Sequence, residues 1–257
     1  PADDFPSLPS PNSEEQIILE TKQFSKAIRQ TAFATATDAS KSVLTGVYMS
    51  AKGKQVKLAA TDGYRLAERT ITVKKITNDL EVIIPRRTLI ELDRLLKQTK
   101  VDTFALSSSV NQIIFQLPGK QLSSRLIEGK YPDYTKILPK HFESNALVDT
   151  KLFLDAVARV AVSAPKKNHV VSLELTNNEM ILMAGTELGQ SKESLEIQYE
   201  GKELMIDFDA LYLIDALKIF LKDAPALSFM LNGQVQPAVL KGLNDDTYVS
   251  MLMPVKP

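Results

Sequence analysis

Six consecutive residues, Thr61-Asp62-Gly63-Tyr64-Arg65-Leu66, place an aromatic, a cation and an apolar side chain directly after a tight turn. Asp-Gly predicts such a turn, because glycine adopts positive φ without a steric penalty. These residue types suit the binding of a peptide better than the cleavage of a bond. Taken alone, however, they predict only a hairpin in which Arg65 is solvated and Leu66 points into the core.

Residues that catalysis or metal binding would need are scarce. The chain has no cysteine, and its two histidines, His141 and His169, are far apart in the sequence. No phosphate-binding glycine loop, zinc-protease motif or serine-nucleophile motif occurs. Asp207 and Asp209 flank Phe208 at a predicted helix start, where capping explains them better than a metal ion. We therefore predict no catalytic residue, no metal site and no cofactor.

The composition is that of an ordinary globular protein with no net charge. The 257 residues are 44% hydrophobic and 24% charged, and 31 basic side chains balance 31 acidic ones, which allows one large domain or two of typical size. The lack of cysteine suits a reducing compartment. Because we find neither a signal peptide nor an apolar run of the roughly 20 residues that a spanning helix needs, we predict a cytoplasmic protein.

The second half of the sequence repeats the first in outline. Residues 21–27 correspond to residues 150–156, and Phe24 and Phe153 occupy the same place. In each copy a strand precedes a helix that Thr21 or Thr150 is placed to cap. A hairpin, a second helix and further alternating strands follow. The predicted hairpins pair residues 43–47 with 56–60 in the first copy and residues 170–174 with 180–184 in the second. The predicted second helices are residues 86–98 and 209–222.

This pattern predicts an α+β fold of two repeated domains, each with two helices packed on antiparallel sheets. We predict domains at residues 13–133 and 134–257, joined by an extended, proline-containing connector at residues 131–139. Residues 1–12 contain four prolines and are predicted to be a second connector.

The first helix of each copy carries a basic stripe beside its apolar one. Lys22, Lys26 and Arg29 share a face without any acid between residues 21 and 31. The equivalent helix is predicted to carry Lys151, Arg159, Lys166 and Lys167 against a single acid, Asp155. Such side chains commonly serve only solubility. Their recurrence in both copies favours sequence-independent contact with a phosphate backbone.

Four stretches together resemble the bacterial DNA sliding clamp, the beta subunit of DNA polymerase III, and the resemblance covers the whole chain. They are residues 60–67, 82–87, 128–134 and 251–255. The resemblance implies DNA-clamp domains in a non-catalytic processivity factor of chromosomal replication, an accessory subunit of a DNA-directed DNA polymerase. The family's chain has three copies of one domain, and two chains close into a ring around duplex DNA. The first domain would then precede residues 1–12, and we expect this chain alone not to form the ring.

The resemblance also implies two kinds of site. The basic helices would line the ring, with Lys22, Lys26, Arg29, Arg159, Lys166 and Lys167 facing DNA. A hydrophobic groove would bind short linear peptides of the polymerase, the clamp loader and repair proteins. Its implied residues are Thr61, Gly63, Tyr64, Arg65, Leu66, Pro132, Lys136, Ile137, Pro237, Met251, Met253 and Pro254, with Val43 and Leu44 nearby.

Within this groove, Leu66 would receive the apolar end of the peptide, and Arg65 would border it with its charged head in water. Tyr64 stands where relatives commonly have histidine, so peptide preference is expected to differ. Two alternatives stay open: a stand-alone peptide-binding adaptor without a DNA role, and an enzyme whose site the motifs do not reveal.

Overall fold

A computed structural model describes residues 16–109, 111–186 and 189–256. The predicted connector at residues 1–12 lies outside them. The chain divides into two compact units, one formed by residues 16–60 and 69–131 and the other by residues 61–68 and 132–256. The Asp-Gly turn therefore belongs to the second unit, although it lies in the first half of the sequence.

The first unit combines two α-helices with antiparallel strands. Its elements are β1 (Ile17–Glu20), α1 (Thr21–Thr31), β2 (Gly46–Lys52), β3 (Gln55–Thr61), the end of β4 (Arg65–Thr72), β5 (Leu80–Pro85), α2 (Arg86–Thr99), β6 (Thr103–Ser108), β7 (Gln112–Leu117) and β8 (Lys120–Arg125). One sheet has the order β1-β6-β7-β8, and β2 pairs antiparallel with both β3 and β5.

The second unit repeats this order of elements with one additional strand between its two helices. It contains β9 (Ser144–Asp149), α3 (Thr150–Ala161), β10 (Val170–Thr176), β11 (Glu179–Thr186), β12 (Gly189–Glu196), β13 (Gln198–Glu200), β14 (Leu204–Asp209), α4 (Ala210–Asp223), β15 (Ala226–Leu231), β16 (Ala238–Gly242) and β17 (Asp245–Leu252). One sheet has the order β12-β11-β10-β14, and the other contains β13-β9-β15-β16-β17.

Equivalent aromatic side chains fill the two cores. Phe24 of α1 packs edge-on against Phe104 of β6, with ring centroids 5.4 Å apart. Phe153 of α3 packs against Phe229 of β15 at 5.8 Å. Both helix phenylalanines are fully buried. The predicted α+β fold with two helices on antiparallel sheets in each repeat is therefore confirmed, and the repeat extends to individual core contacts.

The prediction that Thr21 and Thr150 cap their helices is wrong. Each is the first helical residue, preceded by the N-cap residues Glu20 and Asp149, of which Asp149 accepts a hydrogen bond from the Leu152 N–H at 2.8 Å. The two threonines are buried, and each donates its backbone N–H across the unit at 2.9 Å, to the carbonyl oxygens of residues 102 and 225. They anchor the helix starts, whereas an acidic side chain does the capping in α3.

Local hydrogen bonds also overturn the strand predicted at residues 43–47. Residues Ala39–Thr45 form 3-10 turns, and β2 begins only at Gly46. The Asp38 carboxylate accepts the Ser40 N–H at 2.9 Å, and the Thr45 hydroxyl donates to the Ser42 carbonyl at 2.7 Å. Short polar side chains that bond to nearby backbone in this way compete with strand pairing.

In the described residues, no helix is long and apolar enough to cross a membrane.

Candidate functional site

The turn before Tyr64 is closed by its own side chains. The Asp62 carboxylate oxygen Oδ1 accepts the backbone N–H groups of Tyr64 and Arg65 at 2.9 and 3.0 Å. The Thr61 hydroxyl donates to the Arg65 carbonyl at 2.7 Å and accepts the Gly63 N–H at 3.1 Å. Gly63 has a φ of 96°, which a residue with a Cβ adopts only under strain. The loop that presents Tyr64 is thus held by hydrogen bonds.

Arg65 lies beneath this loop and not in solvent. Only 11% of its side chain is exposed, and its Nε and Nη1 contact Asp62 Oδ2 at 3.0 Å and Asp215 Oδ2 at 2.8 Å. Its guanidinium carbon also lies 4.6 Å from the ring centre of Tyr212, a cation–π distance. The prediction that the Arg65 head stays in water is therefore wrong, because two carboxylates and an aromatic ring replace its hydration.

Tyr64 is the exposed part of this arrangement. Its side chain is 57% accessible, and its ring stacks on Tyr212 with centroids 6.2 Å apart. The Tyr64 carbonyl accepts the Met253 N–H at 2.8 Å. Burial raises the pKa of the Tyr212 phenol, and the nearby Asp62 charge adds to this effect. We refer to Tyr64, Arg65, Tyr212 and Met253 as the Tyr64 surface.

The segment after β17 is held at two points. Besides the bond from Met253 to Tyr64, the Val255 N–H donates to the Asp207 carbonyl at 2.8 Å. Met253 is half-buried and Pro254 is buried. Because Ala238 pairs with Leu252 in an antiparallel ladder, half-buried Pro237 precedes the strand position opposite the end of β17. The structure therefore brings residues 251–254 to the Tyr64 loop.

Besides the buried Pro254, three other implied groove residues form the support of this surface and not its exposed part. Leu66 is completely inaccessible, Met251 is 1% exposed and Thr61 is buried. Leu66 follows the simpler hairpin prediction, in which it points into the core. A ligand could reach these side chains only after rearrangement, whereas Tyr64 is exposed and Met253 is half-buried.

Residues 132–137 also belong to the second unit. In place of a fully extended connector, residues Tyr134–Lys136 form a 3-10 turn, and the buried Tyr134 donates its hydroxyl to Glu68 of β4 at 2.6 Å. Lys136 is exposed near Asp133 at 3.3 Å, and Ile137 is 45% exposed. Pro132 is exposed as well. Val43 and Leu44 are half-buried in the 3-10 segment of the first unit, where Val43 lies close to Gly129.

The basic residues fall into three environments. Lys22 is exposed on α1, and Lys26 and Arg29 are half-buried there. Arg159 of α3 makes a bidentate ion pair with Glu193 of β12, at 2.8 and 2.9 Å. That pair lowers the pKa of the Glu193 carboxyl.

Lys166 and Lys167 are exposed, but they are not part of the helix whose basic face the sequence assigned them to. α3 ends at Ala161, and both lysines follow Pro165, which cannot continue a helix.

Sequence reasoning missed three residues of this site: Asp62, Tyr212 and Asp215. Tyr212 and Asp215 lie three residues apart on α4, so they share a face. That face avoids the core residues Leu213 and Leu217. An aromatic and an acid paired on the non-core side of a helix are a usable signal, but only tertiary structure shows that Arg65 is their partner.

The chemistry available here is recognition. No group of three or more His, Cys, Asp or Glu side chains that could hold a metal ion occurs in the part of the chain that the structure describes. The charged groups of the site pair with one another, and its accessible apolar groups include the Tyr64 ring and the Met253 thioether. Such a surface can bind an apolar or aromatic side chain.

Comparison with known proteins identifies both halves of the sequence. The model of the DNA polymerase III beta subunit central domain matches residues 18–133, and that of its C-terminal domain matches residues 135–256. The beta sliding clamp of Staphylococcus aureus strain Mu50 is 31% identical over 258 residues, which span 99% of this chain and 67% of the relative.

Two solved structures extend the likeness to three dimensions. The Bacillus subtilis DNA polymerase sliding clamp has a TM-score of 0.92 at 30% identity, over 100% of this chain and 68% of that one. The Pseudomonas aeruginosa clamp bound to griselimycin has a TM-score of 0.93 at 25% identity, over 100% and 69%. The chain therefore belongs to the family of bacterial sliding clamps, the beta subunits of DNA polymerase III.

Proposed function

We propose that this chain tethers short linear peptides of replication proteins at the Tyr64 surface while its basic helices contact duplex DNA without reading its sequence. As a member of its family, the chain is a non-catalytic accessory subunit of DNA polymerase III and a processivity factor. The proposal concerns which of its residues do this work. Because it is a replication protein, its place of action would be the cytoplasm.

The arrangement of Arg65 carries the peptide part of the proposal. A cation held by Asp62, Asp215 and Tyr212 gives the loop a fixed shape before any ligand arrives. A preformed surface loses less conformational entropy on binding than a mobile one. Tyr64 adds a rigid aromatic ring, and Met253 adds a flexible side chain that adapts to different apolar partners. The griselimycin complex supports ligand binding by a member of this family.

Titration with a fluorescent peptide containing glutamine, leucine and phenylalanine tests this part. Tyr64→Ala and Met253→Glu are expected to weaken saturable binding at least tenfold, since each changes an accessible group. Ile90→Ala, which alters an exposed apolar residue of α2 in the first unit, is the control and should bind as wild type. Equal affinity of all three variants and wild type would refute the assignment of the Tyr64 surface.

The DNA part rests on the basic residues of α1 and of the α3 region. Lys22, Lys26 and Arg29 share a helix that contains no acidic residue, so their charges act together. A few phosphate contacts give weak, salt-sensitive binding, which allows a protein to slide. The partners proposed are duplex DNA, the polymerase, the clamp loader and repair proteins. That the chain alone forms no closed ring stays a prediction, to be checked by light scattering.

Charge reversal separates this proposal from the adaptor without a DNA role. Replacing Lys22, Lys26 and Arg29 by glutamate should abolish retention on duplex DNA at low salt and leave peptide affinity unchanged. The matched control reverses Lys52, Lys54 and Lys57, which lie on β2, β3 and the turn between them. If both triple variants retained DNA equally well, the lysines of α1 would serve only solubility.

A further inference from the structure

A carboxylate of the same unit competes with any phosphate that approaches Arg159. Its guanidinium and the Glu193 carboxylate face each other with two parallel hydrogen bonds, Nε to Oε1 at 2.8 Å and Nη2 to Oε2 at 2.9 Å. This fork geometry is the one in which arginine also binds phosphate. The pair is accessible, with 57% of the arginine side chain and 31% of the glutamate side chain exposed. A phosphate can therefore reach Arg159 but must displace Glu193.

The ion pair belongs to a contact that fixes the positions of its two partners. Two residues after the end of α3, the Ser163 hydroxyl is hydrogen-bonded to that of Ser191 at 2.6 Å. Ser191 lies two residues before Glu193, on the same face of β12. One side-chain link from α3 and one from the turn that follows it thus hold this region beside β12. Asp155, four residues before Arg159 on the helix, adds a second negative charge that acts on the arginine.

We propose that Glu193 lowers the affinity of this chain for duplex DNA by occupying Arg159, so that Glu193 is one determinant of that affinity. The inference rests on the proposed DNA-contacting role of the α3 region. A carboxylate tethered within the same unit competes at a high effective concentration, whereas a phosphate must arrive from solution. Arg159 consequently contributes less to affinity than an unpaired arginine at the same place would.

The binding of a labelled duplex of arbitrary sequence, measured by fluorescence anisotropy over a series of salt concentrations, tests this inference. Glu193→Gln should tighten binding about 1.5- to 5-fold at fixed salt, the range expected for an exposed ion pair. It should also steepen the dependence of log affinity on log salt by about 0.9, the value of one added phosphate contact. In an Arg159→Gln background, the change at residue 193 should have no effect.

Glu196→Gln is the matched control, because Glu196 is exposed on the opposite face of β12. It removes the same charge without releasing Arg159, and its salt slope should equal that of wild type. An identical effect of the two single variants would overturn the inference in favour of a general charge effect. If wild type and Glu193→Gln bound the duplex with the same affinity and the same salt dependence, the inference would be overturned but the proposed function would stand. Absence of salt-dependent binding in both proteins would overturn it together with the DNA part of the proposed function.

Discussion

Replacing Arg65 by methionine should destabilise the second unit although the site has an exposed face. Methionine keeps much of the apolar stem but removes the charge that Asp62 and Tyr212 contact. The charge-assisted bond to the nearly buried Asp62 contributes about 1.5–3 kcal/mol, and the cation–π contact with Tyr212 about 0.5–2 kcal/mol. Asp62 also loses its partner while remaining 12% exposed. We expect a loss of about 2–4 kcal/mol in the free energy of unfolding.

Asp215→Asn is the control, because it breaks the other half of the same arrangement. The Asp215 side chain is 45% exposed, so its ion pair is screened by water and worth at most about 1 kcal/mol. Hydrogen exchange of the α4 amides reports the stability of the second unit separately from the first. Equal losses in the two variants, or a loss below about 1 kcal/mol for Arg65→Met, would show that Arg65 is solvated as the hairpin prediction has it.

Three further outcomes are expected. Leu66→Ala should cost about 2–5 kcal/mol of stability because it empties a fully buried site, while Tyr64→Ala should change stability by less than about 0.5 kcal/mol; urea unfolding compares them. Gly63→Ala should lower the urea midpoint because its φ of 96° strains any residue with a Cβ. The pKa of Glu193 is lowered in the folded protein from its ordinary value of 4.5. Its ion pair therefore adds stability above pH 4.5, and this stability is lost as the pH falls through the lowered pKa. Glu193→Gln should consequently reduce the loss of thermal stability on acidification.

The fold was largely predictable because its signals are local and occur twice. Phe24 and Phe153 hold equivalent places in two strand–helix repeats, and helical spacing of apolar residues predicted α2 and α4 within two residues at either end. Asp209 caps α4 as expected, accepting the Leu211 N–H at 2.8 Å. Asp207 does not, because it lies within β14. The wrong predictions, the threonine caps and the strand at residues 43–47, concern segments in which hydrogen bonds from polar side chains decide the local structure. The 3-10 turns at Ala39–Thr45 depend on hydrogen bonds to Asp38 and Ser42. The spacing of apolar residues contains no information about these hydrogen bonds.

The accessible loop that carries Tyr64 was predictable from the sequence, but the contacts of Arg65 were not. An Asp-Gly turn followed by aromatic, basic and apolar residues correctly indicated a presented loop. Whether Arg65 is solvated or buried, however, depends on an acid 150 residues away in sequence. Sequence spacing contains no information about that distance, because α4 must first pack in the second unit before Asp215 meets Arg65. The same limit explains why Arg159 was assigned to DNA without its partner Glu193.

Arg65 is best understood as a positioning residue for Tyr64. The Asp62 carboxylate closes the loop through one oxygen and holds the guanidinium through the other. Tyr212 stacks with Tyr64 and also contacts the guanidinium. The orientation of the one exposed ring is thus set by three groups that offer a ligand little surface of their own. Lysine would keep the charge at residue 65 but not this arrangement, because an ammonium group cannot bridge two carboxylates as a planar fork while lying over an aromatic ring.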